Sequence, residues 1–216
     1  MAKIIWDATG ERLYETGVKN VVLYPMAESG YGKGVAWNGV TAITESPSGA
    51  EATPLYADDT KYLELRSVEE FGASIEAYTY PDEFAACDGS ASVVAGLKIG
   101  QQPRKAFGLC YRTTVGNDEQ GEEFGYKLHI IYGAKAAPSE KAFNSINDSP
   151  EAVTFSWEVT TTPVAVTGFK PTSYLELDST KLGAEKMAAV EALLYGTESE
   201  EASLPLPDDI LALVKE

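Results

Sequence analysis

Apolar and polar residues alternate with period two along much of this chain. Phe71, Ala73, Ile75 and Ala77 point one way, and Ser74, Glu76 and Tyr78 the other. The same alternation sets Phe107, Leu109 and Tyr111 against Gly108, Cys110 and Arg112. It sets Val153, Phe155, Trp157 and Val159 against Thr154, Ser156, Glu158 and Thr160, and Tyr126, Leu128, Ile130 and Tyr132 against Lys127, His129 and Ile131. Side chains of a strand project to opposite faces in turn, so each stretch reads as a half-buried strand rich in aromatic and β-branched residues. Val40 to Glu45 and Tyr174 to Leu177 are further strand candidates.

The period changes near the end. Met187, Val190, Leu193 and Leu194 recur at helical spacing between Gly183 and Tyr195, and Gly196 stands at the expected C-cap. Asp208-Asp209, after Pro205-Leu206-Pro207, reads as another helix start, and Asp82 to Cys87, behind Pro81, as one or two helical turns. Three long loops separate the strands. Residues 24–39 hold Pro25, Gly30, Gly32, Gly34 and Gly39, and residues 44–54 hold Ser46-Pro47-Ser48-Gly49. The third, 116–124, is too long for a two-residue hairpin turn and is expected to project as a mobile acidic loop. The pattern predicts a mainly β protein: one antiparallel β-domain over 1–178 and a helical tail over 179–216.

At 216 residues the chain is long enough for one core without staples. It carries 17 Lys and Arg against 33 Asp and Glu, a formal charge of −16. That balance disfavours tight duplex binding, which draws on cations neutralising phosphates, but suits a surface that must repel DNA. Cys87 and Cys110 are too few for a disulfide framework and read as thiols. The start, Met1-Ala2-Lys3-Ile4-Ile5-Trp6-Asp7, meets a charge too early for a signal peptide, and uncharged runs such as Val159 to Phe169 are too short to span a bilayer. The expectation is a soluble product of the cytoplasm with no membrane association.

Catalytic patterns are weak. His129 is the one histidine and sits mid-strand, which fits a structural or lumen-facing role better than a triad. One histidine and two distant cysteines match no zinc spacing. Gly30-Tyr31-Gly32-Lys33-Gly34 lacks the Ser or Thr and the strand-to-helix junction of a P-loop, and 117–123 lacks the alternation of an EF-hand. Asn147-Asp148-Ser149, followed by Pro150, reads as a chance glycosylation triplet. A hydrolytic carboxylate pair stays open, because sequence does not measure the separation of two acids. No enzyme activity, cofactor or metal is expected.

Several segments, in order, resemble the major tail protein, the tail tube subunit, of long-tailed bacteriophages and prophages. They are Tyr31-Gly32-Lys33-Gly34-Val35-Ala36-Trp37-Asn38-Gly39, the run from Phe71 to Phe84, Gly125-Tyr126-Lys127-Leu128-His129, Thr154-Phe155-Ser156-Trp157-Glu158-Val159, Lys170-Pro171-Thr172 and Leu194-Tyr195-Gly196-Thr197. The resemblance runs from about residue 6 to Pro207. It implies an antiparallel β-sandwich or barrel of the tail-tube type with a short flanking helix, self-assembling into stacked hexameric rings that form a hollow conduit for DNA. It also implies a place in the virion tail after synthesis in the host cytoplasm. Implied partners are further copies of the chain, the tape-measure protein, the tail terminator, and baseplate or distal tail proteins, with DNA passing through unbound. The family has no catalytic motif to carry over.

If the apolar alternates fill the sandwich, the opposite ones on the inner sheet face the bore. That nominates Glu76 and Glu158, with Thr154, Ser156 and Thr160 as neutral neighbours. Alternation fixes a face without saying which face is inward, so outside solvent, or a cross-strand pair with Lys127 or Arg112, is the other reading. Lys127, Arg112 and His129 need neutralising partners if they line the bore. Asn117, Asp118, Glu119, Glu122 and Glu123 are the candidate inter-ring contacts. The alternative function is a virion-associated carbohydrate-binding or adhesin module, with Trp6, Trp37, Trp157 and 12 tyrosines as stacking surfaces. Trp157, on the apolar alternate, counts against it.

Overall fold

The computed structural model describes residues 3–146, 148 and 151–215. Met1-Ala2, and the Asn147-Asp148-Ser149 triplet apart from Asp148, lie outside the described residues. In chain order the strands are β1 (Tyr14–Ala27), β2 (Val40–Glu45), β3 (Ala52–Ala57), β4 (Thr60–Arg66), β5 (Gly72–Ala77), β6 (Ala91–Val94), β7 (Leu97–Ile99), β8 (Phe107–Asn117), β9 (Gly121–Ala136), β10 (Phe155–Thr161) and β11 (Tyr174–Asp178). A 3-10 turn spans Asp82–Ala86 with Pro81 as its N-cap. The helices α1 (Ser179–Leu182), α2 (Ala184–Tyr195) and α3 (Pro207–Lys215) follow β11.

The protein is mainly β. A nine-stranded antiparallel sheet runs β1–β8–β9–β10–β5–β2, with β11 also on β9 and the short pairings Gly30–Tyr31 and Val35–Ala36 on β1. Along the edge away from β8, β9 takes two partners: residues 127–131 pair with β11 and residues 134–136 with β10. The change falls at Gly133, whose φ is +60° and whose Cβ, if present, would stand 2.2 Å from the Thr162 carbonyl oxygen. Only glycine tolerates both that conformation and that approach, and there the sheet turns over to make the second layer of a sandwich.

Two cores result. Between the layers lie Val21, Leu23, Ile75, Leu109, Ile131, Trp157 and Val159, closed by Trp37 and by Phe84 from the 3-10 turn. On the outer side of β1, β8 and β9 lie Val22, Tyr24, Cys110, Leu128, Ile130 and Tyr132, beneath Met187, Val190 and Leu194 of α2 and Ile210 of α3. The central strands are therefore buried on both faces, where alternation suggested half-burial. Cys110, on the alternate read as polar, lies under the helices instead of in solvent; Leu128, Ile130 and Tyr132, read as the face toward the sandwich core, lie there too, and Ile131 takes the core side. Both cysteines are free and buried, and burial pushes each thiol up to about 12.

Candidate assembly surfaces

The layer β10–β5–β2 presents its inner alternates to the core and its outer alternates to solvent. Thr154, Ser156, Glu158, Thr160 and Glu76 are all exposed, while Trp157, Val159, Ile75 and Ala77 are buried. Register brings these outer side chains together: Ser156 lies opposite Glu76, Glu158 opposite Ser74, and Ala42 opposite Glu76 on the far side. The result is an exposed face of acids, hydroxyls and small residues. β2, β5 and β10 contribute no Lys or Arg to it; Lys135 of β9, opposite Thr160, stands at its margin. Glu76 and Glu158 do not pair with Lys127 or Arg112. Lys127 lies 3.0 Å from Glu15 and 3.1 Å from Glu176, and the Arg112 guanidinium stacks 3.5 Å over Tyr126, with Glu191 3.9 Å away.

The loop at 44–54 opens into an arm between β2 and β5, in which β3 and β4 pair as a hairpin and Ser48–Gly49 pairs with Glu69–Glu70 nearer the root. At the tip Asp58 and Asp59 have φ of 49° and 61°, as a two-residue hairpin turn of the type that follows strand twist requires. Every residue of β3 and β4 is exposed. β4, at 7 residues, spans about 23 Å. Leu55 lies opposite Leu63, and Thr53 opposite Leu65, so one face of the arm is an exposed leucine patch. Leu55-Tyr56 and Tyr62-Leu63 flanking Asp58-Asp59 are the sequence signal of this hairpin.

The other loop expectations change. Residues 116–124 do not form a long mobile loop: β8 and β9 continue to the pair Asn117–Gly121, leaving only 118–120 as the turn. Asn117 is buried and accepts from the backbone N–H groups of Glu119 (3.2 Å) and Gln120 (2.6 Å), closing the turn from within. Its amide donates to the Gly10 carbonyl, and Asp118 accepts from the Gly10 N–H at 3.0 Å, so the turn is docked on the N-terminal segment of the same chain. Asp118, Glu119, Glu122 and Glu123 remain at the surface of that docked turn, with Arg12 3.8 Å from Asp118. Residues 24–39 are shortened in the same way, because β1 extends to Ala27 and the segment behind it folds back in two short pairings.

His129 occupies a buried polar cluster at the arm's root. Its ring stacks on Tyr111, with centroids 4.6 Å apart and planes 5° from parallel. Tyr174 Oη lies 2.7 Å from Nδ1, and Thr113 Oγ1 lies 2.8 Å from Nε2. Glu15 stands 3.3 Å from Nε2 and Glu45 3.6 Å from Nδ1. Thr113 donates to Glu15, so a neutral ring gives its proton from Nε2 to Thr113 and leaves Nδ1 to accept from Tyr174, while Tyr111 donates to Glu45. Burial lowers the imidazole below its ordinary value, against the pull of Glu45, Glu15 and Glu176. Burial raises the Glu15 carboxyl, but bonds from Thr113 and Lys127 outweigh it and leave a net lowering. Lys127 is raised, first by its bond with Glu15. Tyr111 and Tyr174 are pushed up, mainly by burial.

Trp37 and Trp157 are buried in the sandwich, which removes two of the three tryptophans from any sugar-stacking surface; Trp6 is exposed. Among the described residues no helix is long and apolar enough to cross a membrane. No family model and no curated protein matches the chain. Among solved structures, one similar chain belongs to the "Cryo-EM structure of the anti-feeding prophage (AFP) baseplate, 6-fold symmetrised". The two are 9% identical, the match covers 83% of this chain and 100% of that one, and the TM-score is 0.40.

Proposed function

We propose that this chain is a non-enzymatic structural subunit of a phage-type tail, the tube subunit, which stacks in rings around a bore that DNA traverses. The observation that carries the reading is the arm Ala52–Arg66: a fully exposed hairpin with a leucine face and no core of its own. An isolated two-stranded hairpin is marginal in water, so such an arm is built to be completed by another molecule. In a stacked assembly that molecule is the next copy. The outer face of β10–β5–β2, with Glu76, Ser156, Glu158 and Thr160, supplies a wall with few cations to hold phosphates by counterion release. Among the described residues β2 ends the strand order beside β5, and its open edge suits sheet continuation into a neighbour. The resemblance of the ordered segments from Tyr31 to Thr197 supports the same reading, and with it the tape-measure, terminator and distal tail proteins as partners.

Negative-stain electron microscopy of the purified protein over a concentration series tests this. Hollow rings or tubes with six-fold views are expected. Particles of one small size at every concentration, even with an added tail-initiator complex, argue for a binding module instead.

A further inference from the structure

The arm leaves the sandwich at two points, and both are tied to the His129 cluster. On one side Glu45 is the last residue of β2, accepts the Tyr111 hydroxyl and faces His129 Nδ1. On the other, Phe71 stacks on Tyr174 with centroids 5.0 Å apart and planes at 17°, and Tyr174 donates to the same Nδ1. Ser46 N–H to the Gly72 carbonyl, at 2.8 Å, joins the two roots directly.

From this juxtaposition we propose that His129 is a proton-operated latch that sets the pose of the arm. Neutral His129 has one acceptor nitrogen, and Tyr174 fills it. A proton arriving at Nδ1 turns that acceptor into a donor. Tyr174 must then reverse its hydroxyl, with Glu176 Oε2 3.5 Å away as its new acceptor, and Nδ1–H draws Glu45 away from Tyr111. Both roots are thereby disturbed by one proton. The charged groups around the ring are Glu15 from β1, Glu45 from β2, Lys127 on its own strand and Glu176 from β11, with the Tyr111 and Tyr174 hydroxyls beside them. Because burial disfavours the cation, the neutral, latched form holds through neutral pH and opens on acidification below the ordinary histidine range. The inference concerns the root and holds whatever the arm binds.

Hydrogen exchange of the native chain between pH 7.5 and 5, corrected for intrinsic rates, reads the latch at residues 43–46 and 71–74. Protection there should fall at least tenfold on acidification, while the α2 segment keeps its own. His129→Gln, which cannot titrate, should flatten that pH dependence. Glu45→Gln should move the transition to lower pH, since the lost carboxylate favoured the imidazolium. The single histidine also gives an unambiguous NMR titration, and its midpoint should coincide with the loss of protection. Flat protection in the native chain, or an unchanged pH profile in His129→Gln, overturns the proposal. Where His129→Gln does not fold, an unmoved transition in Glu45→Gln does the same.

Discussion

Several buried polar side chains act as ties between segments that the sheet leaves unjoined. Asp88 accepts from Trp157 Nε1 at 3.0 Å and from Arg104 at 3.4 Å, and pairs with Lys141, whose ammonium lies over Tyr80, Phe155 and Trp157. One carboxylate thus joins the segment after the 3-10 turn to β10 and to the segment that follows β9. Asp88→Ala strands three donors and should destabilise the fold by about 2–4 kcal/mol in urea unfolding. Asn117→Ala, which releases two backbone N–H groups of a tight turn, should cost about 1–2 kcal/mol by the same measurement. Acid stability follows from His129 and Glu15, both lowered in the folded state. A lowered histidine contributes its full stability above its unfolded value, and that is lost as pH falls through the folded one. A lowered carboxylate behaves likewise at more acidic pH. The chain should therefore weaken in two stages, first below about pH 6.5 and again below about pH 4.3. Denaturant midpoints measured at pH 7.5, 5.5 and 3.5 check the order.

Among the elements, those with one solvated face were legible in the amino-acid order. The strands at 72–77 and 155–161 alternate cleanly because polar neighbours mark their outer faces. The helix Ala184–Tyr195 declared itself through Met187, Val190 and Leu194, which pack on the sheet. β1 was hidden for the opposite reason: Val21-Val22-Leu23-Tyr24 is buried on both sides, so the run has no period to read. The arm was hidden because none of its strand residues is buried, and Pro54 interrupts the run. Which residues share the exposed face of β10–β5–β2 was legible, since Glu76 and Glu158 sit on the alternates opposite the buried ones. The acidic turn was not, because Asn117 shortens it by a side-chain bond that spacing does not reveal. Replacing Ala52–Arg66 by a short Gly-Ser turn should change stability by no more than about 0.5 kcal/mol, as for other surface changes, while abolishing stacked tubes in micrographs. Tubes that persist without the arm remove it from assembly.

On the scale of the molecule, charge and layering divide the labour. The helices cover one side of the central strands and the second sheet layer covers the other, so stability is held inside, away from the acidic face of β10–β5–β2 and the arm. Charge reversal on the wall should then be tolerated by the fold. The double variant Glu76→Lys and Glu158→Lys is expected to form tubes of ordinary appearance that retain duplex DNA. That retention should weaken steeply as salt is raised, as counterion release demands. Equal retention by the native and reversed proteins would take the wall out of the bore.

The roots of the arm sit side by side, Glu45 opposite Ala73, in a register that the arm itself does not help to set. Everything between them is in effect a cassette, entering and leaving the scaffold through one doorway. Its length and outline can drift between lineages without altering the frame, so relatives of this chain should differ most in reach and least in the sandwich. A foreign hairpin spliced between Glu45 and Phe71 should be displayed intact, at one copy per subunit.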